Sequence, residues 1–168
     1  MIWAGRTLKR KSLGLLAGLG SASLLLGALG FEHIGGFAPC TFCQWQRWPH
    51  VLAVLLVLIS IRFRQPWVYI LGALATFTSA GIGVFHTGVE RGFWKGLQSC
   101  SGNVDLTKVS PERALEIIMK AKVVKCDEVA WQMAGLSMAS WNAVLSSLLA
   151  AFWIKAYLAR EDQPTGGS

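Results

Sequence analysis

Charge is scarce in this chain of 168 residues: Asp, Glu, Lys and Arg make up 15% of it against 53% hydrophobic residues, and mean hydropathy is +0.45. Soluble domains carry about 25% charged residues, so a soluble fold of this length is excluded and a membrane protein is expected. Acids are the scarcer sign, nine against sixteen bases. The resulting charge of +7 does not point to nucleic acid, because the bases do not interleave with exposed aromatics. Eight of them stand in short segments beside apolar runs, where they act as topology signals. Repeats and low-complexity tracts are missing apart from a polar tail over 160–168. No small-residue cleavage site follows the first apolar run, which is also longer than the ~7–15 residues of a signal peptide core, so that run reads as a retained helix. Cysteine is limited to Cys40, Cys43, Cys100 and Cys126. The last two lack the paired Cys-x-x-Cys spacing of zinc ribbons, and Gln44 stands where covalent haem requires histidine. No metal is expected.

What is present is four apolar runs, Leu13 to Phe31, Trp45 to Ile61, Trp67 to Phe85 and Met133 to Ile154. Each approaches the ~20 residues that cross a bilayer. The expected fold is an all-α membrane protein, one four-transmembrane-helix bundle with helices at about 13–31, 43–62, 67–85 and 133–154 and outer loops at 32–42 and 86–130. Starting the second helix at Pro49 would leave only ~20 Å of helix, so it must begin near Cys43, with Pro49 inside it. Small residues from Gly72 to Gly83 suit the third helix to close packing. Trp45, Trp48, Trp67, Trp131 and Trp153 fall near helix ends, as interfacial anchors do. In the long second loop, Ser110 and Pro111 with Leu115, Ile118 and Met119 predict a short amphipathic helix lying on the membrane surface.

Arg6, Lys9, Arg10 and Lys11 precede the first run, Arg62 and Arg64 follow the second, and Lys155 and Arg160 end the last, whereas residues 32–46 hold no Lys or Arg. Both termini are therefore expected in the cytoplasm. All four cysteines then share the opposite face, the oxidising periplasm of a bacterium, and their even count suggests two disulfides.

The Cys40-Thr41-Phe42-Cys43 motif can close a small disulfide ring. Taken alone it also suits a zinc site or plain buried thiols. With the helix beginning there, Cys43 lies in the first turn, where the macrodipole favours a thiolate, and Arg47 follows four residues on along the same face. A charge in a membrane helix generally faces a partner or a cavity, although near a helix end Arg47 could snorkel. His86 could meet water or a headgroup at its helix end, and Glu90 reads as a solvated charge.

Taken together, the four apolar runs, Pro39-Cys40-Thr41-Phe42-Cys43 with Gln46-Arg47 after it, the segment from His86 to Trp94, and Cys126-Asp127-Glu128 followed by Trp131 and by Gly135 to Asn142 resemble the disulfide bond formation protein B (DsbB) family. The resemblance runs from about Leu13 to Ile154. It implies a quinone-linked thiol oxidase of the bacterial inner membrane, using ubiquinone or menaquinone, that reoxidises a periplasmic thioredoxin-fold dithiol oxidase (DsbA-like). It further implies that Cys40 and Cys43 are the quinone-proximal pair, Cys100 and Cys126 the pair that meets the partner, and Arg47 and His86 residues beside the quinone. Some members carry glutamate where this chain has Gln46, which leaves the electrostatics of Arg47 open. The competing readings are a vitamin K epoxide reductase-like thiol enzyme, in which the motif lies late in the chain, and a non-enzymatic tetraspan scaffold stapled by its disulfides.

Overall fold

The computed structural model describes residues 4–63, 65–97, 110–112 and 125–159, with the backbone path alone for residues 4–9. Four long helices stand out among them: α1 (Ala4–His33), α2 (Thr41–Arg62), α3 (Pro66–Glu90) and α4 (Met138–Leu158). A small antiparallel hairpin of β1 (Gln132–Met133) and β2 (Leu136–Ser137) precedes α4, with Gln132 opposite Ser137 and Met133 opposite Leu136. The helices close a ring in which α1 and α3 each pack against α2 and α4.

Three segments, Arg10–His33, Pro66–Glu90 and Met138–Leu158, are long and apolar enough to cross a membrane. α2 has comparable length, 22 residues. Gln44, Gln46, Arg47 and His50 make its first half too polar to stand with those three. The burial pattern is that of a bundle solvated by lipid: Leu16, Leu19, Leu26, Leu55, Leu58 and Phe77 are exposed, while Ser21, Thr76, Ser79 and Ser146 are wholly buried. Hydrocarbon solvates leucine as well as a protein core does, so the interior is left to small side chains and to polar ones that find partners.

α3 carries the close contacts that the small-residue run foreshadowed. A Cβ on Gly72 would stand 2.5 Å from Cδ2 of Trp153, and one on Gly83 would stand 3.0 Å from the Ala139 carbonyl oxygen. Trp153 is fully buried and packs with Tyr69, Val68, Leu56, Ala53 and Ala17.

The elements depart from the expected boundaries in every helix, and α1 spans Ala4–His33 where about 13–31 was expected. α2 begins at Thr41, close to Cys43 as its length required, and runs through Pro49. α3 continues past Phe85 to Glu90, which puts His86 and Glu90 on a helix rather than in the loop. α4 begins at Met138 rather than Met133, because Ala134 (φ 53) and Gly135 (φ 76) both take left-handed conformations and turn the chain in a two-residue hairpin. Ser137 then caps α4, its Oγ accepting the Ser140 N–H at 3.2 Å. The amphipathic helix expected after Ser110 lies, beyond Glu112, outside the described residues, as does Cys100.

Because the Gly72 contact allows no added atom, Gly72→Val should cost about 1–3 kcal/mol. Gly81 has nothing within 4 Å of where a Cβ would stand. Thermal unfolding in detergent should therefore show a lowered midpoint for Gly72→Val and no loss for Gly81→Ala. Equal midpoints would contradict the packing described.

Candidate functional site

The Cys-x-x-Cys motif forms the start of α2. Cys40 is the N-cap residue, extended at φ −74 and ψ 171, and its Sγ accepts the Cys43 N–H at 3.2 Å. Its thiol thus occupies the place where serine or aspartate usually satisfies a free amide. Cys43 lies in the first turn, with its Sγ 2.8 Å from that of Cys40. Cys40 and Cys43 are free thiols, whereas Cys126 is disulfide-bonded. Cys126 is completely buried and shares an apolar cluster with Cys40, Phe42 and Val89.

Hydrogen bonding with Cys43 is the main cause that holds the Cys40 thiol well below the ordinary thiol range; burial opposes it, and the contact with His86 assists it. The Cys43 thiol, more than the backbone amide at the helix terminus, therefore favours negative charge on Cys40.

His86 reaches this pair from α3, with Nε2 3.6 Å from the Cys40 Sγ and 3.8 Å from Glu90 Oε1. Glu90 is not a solvated charge: its carboxylate is nearly buried and accepts a hydrogen bond from the Ser137 hydroxyl. On the other side of the imidazole, Gln46 Nε2 lies 3.2 Å from Nδ1. An amide nitrogen can only donate. Nδ1 of His86 is therefore the accepting nitrogen and Nε2 carries the proton, directed at the sulfur and at Glu90.

Gln46 also bridges inward. Its Nε2 donates to the Phe42 carbonyl at 3.1 Å, and its Oε1 accepts from Asn142 Nδ2 at 2.7 Å. Asn142 in turn donates to Ser79 Oγ at 3.1 Å. His50 completes the group with its Nε2 3.0 Å from Ser146 Oγ and 3.1 Å from Ser79 Oγ. Side chains from α2, α3 and α4 thus form one hydrogen-bonded chain from the thiols into the bundle. Sequence reasoning missed it. The legible signal was polar residues four apart in apolar helices, Gln46 with His50 and Asn142 with Ser146, which share a helix face.

Arg47 faces away from that chain, toward α1. Its Nη1 lies 2.5 Å from Glu32 Oε2, and its Nη2 donates to the Ala28 carbonyl at 3.4 Å. The partner was findable, since Glu32 is the sole acid before Glu90. Gln46 does not deprive Arg47 of an ion pair, because the pair is made with another helix.

A cavity of about 390 Å³ opens beside these groups, walled mostly by apolar side chains such as Leu24, Phe31, Trp141 and Leu145. Ser23, Cys43, Gln46, Arg47, His50 and Asn142 are its polar features. Its size falls in the range of small-molecule sites. A second, smaller cavity of about 50 Å³ is lined by Cys40, His86, Glu90 and Lys125, and Cys43 and Arg47 line both. His86 does not line the larger cavity and reaches it only through Gln46. The ligating atoms of Cys40, Cys43 and His86 lie within 4.8 Å of one another. Three such donors fall short of the four of a structural zinc site.

Comparison with known proteins agrees with this geometry. The family profile described as "Disulfide bond formation protein DsbB" matches residues 10–156. A protein of Verminephrobacter eiseniae named "Disulfide bond formation protein B" is 32% identical, over 94% of this chain and 90% of its own length. One of the same name from Marinobacter nauticus is 32% identical, over 83% and 86%. An uncharacterized protein of Rickettsia prowazekii is 24% identical over 72% of each chain. No solved structure matches. With a buried dithiol at a helix terminus and a match over nearly its whole length, the chain belongs to the disulfide bond formation protein DsbB family.

Proposed function

We propose that this protein is an inner-membrane thiol:quinone oxidoreductase that reoxidises a periplasmic dithiol oxidase of the thioredoxin fold. The observation that carries the reading is the position of the Cys40–Cys43 dithiol, which packs against disulfide-bonded Cys126 and shares Cys43 with the wall of the 390 Å³ cavity. One side of the pair is placed for thiol exchange and the other for a ligand. In this reading α2 also crosses the membrane, with its polar half turned to the bundle interior, both termini are cytoplasmic, and the cysteine-bearing ends face the periplasm.

The cavity fits a quinone ring. Its walls are apolar, and a guanidinium lines it at Arg47. Cys43 and Arg47 would hold the ring. A bound quinone supplies an acceptor for the two electrons and two protons of the dithiol, and so a driving force that a second protein disulfide could not give a strongly oxidising partner. Ubiquinone and menaquinone both meet these requirements.

The chain's own residues do the rest. The partner's thiolate attacks Cys100 of a Cys100–Cys126 disulfide, and the freed Cys126 attacks Cys40 of an oxidised Cys40–Cys43 pair, releasing the Cys43 thiolate. The partner's second thiol then forms the partner's disulfide and frees Cys100, which re-forms its bond to Cys126 and leaves Cys40 and Cys43 reduced. Cys126 and Cys40 lie in one buried cluster, which supports the second exchange. The Cys43 thiol, assisted by His86 and the α2 terminus, holds charge on Cys40 when the pair is reduced, and Glu90 and Gln46 fix the imidazole that faces it. Arg47, tethered to α1 by Glu32, sets the cavity's positive edge.

The test is to mix the purified protein with a reduced dithiol oxidase and a short-chain quinone and to follow quinone reduction. Turnover is expected, with Arg47→Ala slowed at least tenfold at unchanged folded yield. Arg47→Lys should be intermediate because the planar fork is lost. No quinone reduction by the unaltered protein would refute the proposal.

A pH titration checks the role given to His86. In the reduced protein the ultraviolet absorbance of the Cys40 thiolate should persist as pH falls through ~8.5, where an ordinary thiol protonates. Its pKa is lowered, so the charge is lost only at more acid pH. In His86→Ala the step should move upward toward the ordinary value. An unchanged step would remove His86 from the account.

A further inference from the structure

Two cavities of different character flank the Cys40–Cys43 pair. The larger one opens toward lipid: Ser23 and Gly27, both exposed on α1, stand in its wall, and nothing lies within 4 Å of where a Cβ on Gly27 would be. The smaller one lies on the loop side, with Phe37 and Pro39 along one edge and Lys125, Glu128 and Trp131 along another. Its 50 Å³ leaves room for a few waters and none for a cysteine carried on another protein's backbone. Trp131 lines both cavities, as Cys43 and Arg47 do. Among the described residues it is the one member of that shared wall supplied by the segment ahead of the hairpin.

Trp131 is held from two directions. Its ring packs on Phe31 of α1 with centroids 5.1 Å apart, and Phe31 meets Phe37 edge-on at 6.1 Å. Its carbonyl accepts the Met138 N–H at 3.3 Å, which ties it to the first residue of α4. The Lys125–Glu128 ion pair on the same segment is exposed and adds little. These apolar contacts matter at one stage of the proposed relay. Once the partner's thiolate has opened the Cys100–Cys126 bond, no covalent link holds this segment over the inner pair.

We propose that Trp131 is a specificity residue: through its contact with Phe31 it closes the loop side of the Cys40–Cys43 pair, so that Cys126 reaches the pair and soluble thiols do not. Cys126 needs no opening, because it is already buried in one cluster with Cys40. The assignment rests on the relay and the quinone reading above. Without the cover, two molecules of a small thiol could give up their protons and electrons to the inner disulfide, leaving one small disulfide and a reduced Cys40–Cys43 pair. Quinone would then be spent on thiols other than the partner's. Trp131 thus acts by exclusion, and the exchange between Cys126 and Cys40 proceeds beneath it.

The experiment reads access to Cys43 with neither partner nor quinone present. In the full-length protein Cys40→Ser, Cys100→Ser and Cys126→Ser leave Cys43 as the sole thiol and remove the outer disulfide, and serine at position 40 still suits the helix cap. In detergent micelles a lipophilic maleimide should label Cys43 through the lipid-facing cavity, whereas a negatively charged methanethiosulfonate should label it slowly. Trp131→Ala should speed the charged reagent about tenfold or more, because the ring contact no longer holds the segment closed. Trp131→Phe, which keeps an aromatic ring on Phe31, should stay near the unaltered rate. A charged-reagent rate unmoved by Trp131→Ala would overturn the proposal and leave the quinone reading standing. No labelling by the maleimide would remove Cys43 from the cavity wall, on which the quinone reading itself rests. If Trp131→Ala does not fold, the protein with Trp131 intact decides. Its preference for the maleimide over the charged reagent should be about tenfold or more greater in the micelle than in dodecyl sulfate, where the cover is unfolded, and an equal preference in both would overturn the proposal.

Discussion

The side-chain amide of Gln46 is the contact on which the rest of the site depends. In a bundle surrounded by hydrocarbon, a buried polar group has no water to turn to and needs its partners within the protein. Gln46 finds three: the Phe42 carbonyl behind it, His86 on α3 and Asn142 on α4. Because each end of the amide has one chemical role, these contacts set the orientation of the His86 imidazole. His86 presents its N–H to Cys40, and through Asn142 the same amide is joined to His50. A glutamate at this position could not donate to His86 Nδ1 while ionised, so the whole chain of donors would have to be redrawn.

The positive charge is handled separately. Arg47 is the next residue, yet it turns to α1, where Glu32 and the Ala28 carbonyl hold it. Both members of that ion pair remain partly solvated, with side chains 21% and 27% exposed. Such a pair adds little stability. Its effect is placement: it keeps the guanidinium at the edge of both cavities, within reach of a ligand and of the loop side.

Much of this was legible from the chain and some of it was not, for physical reasons. Apolar runs report helices that face lipid, which is why α1, α3 and α4 were evident, and the length needed to cross a bilayer placed the start of α2 ahead of Pro49. The Cys-x-x-Cys pair announced its chemistry by spacing. Boundaries failed where local turn chemistry overrode hydropathy, as at Ala134 and Gly135, whose left-handed backbone interrupts an apolar stretch before α4. The contacts of Glu90 and Arg47 join residues 47 and 15 positions apart. No local pattern encodes them, although the near absence of acids made Glu32 conspicuous. The Gln46, His50, Asn142 and Ser146 cluster was written in the sequence as polar residues four apart, and the weight given to apolar periodicity obscured it.

The central claim is an order of transfer: electrons enter at Cys100 and Cys126 and reach the dithiol at the start of α2 before any acceptor in the cavity. Its most direct test is mass spectrometry of complexes trapped between the Cys126→Ser protein and a partner oxidase retaining only its attacking cysteine. The account predicts a mixed disulfide that accumulates on Cys100, because no thiol remains in the outer pair to resolve it forward. A partner found joined mainly to Cys40 or Cys43 would contradict the relay and reduce the outer disulfide to a staple.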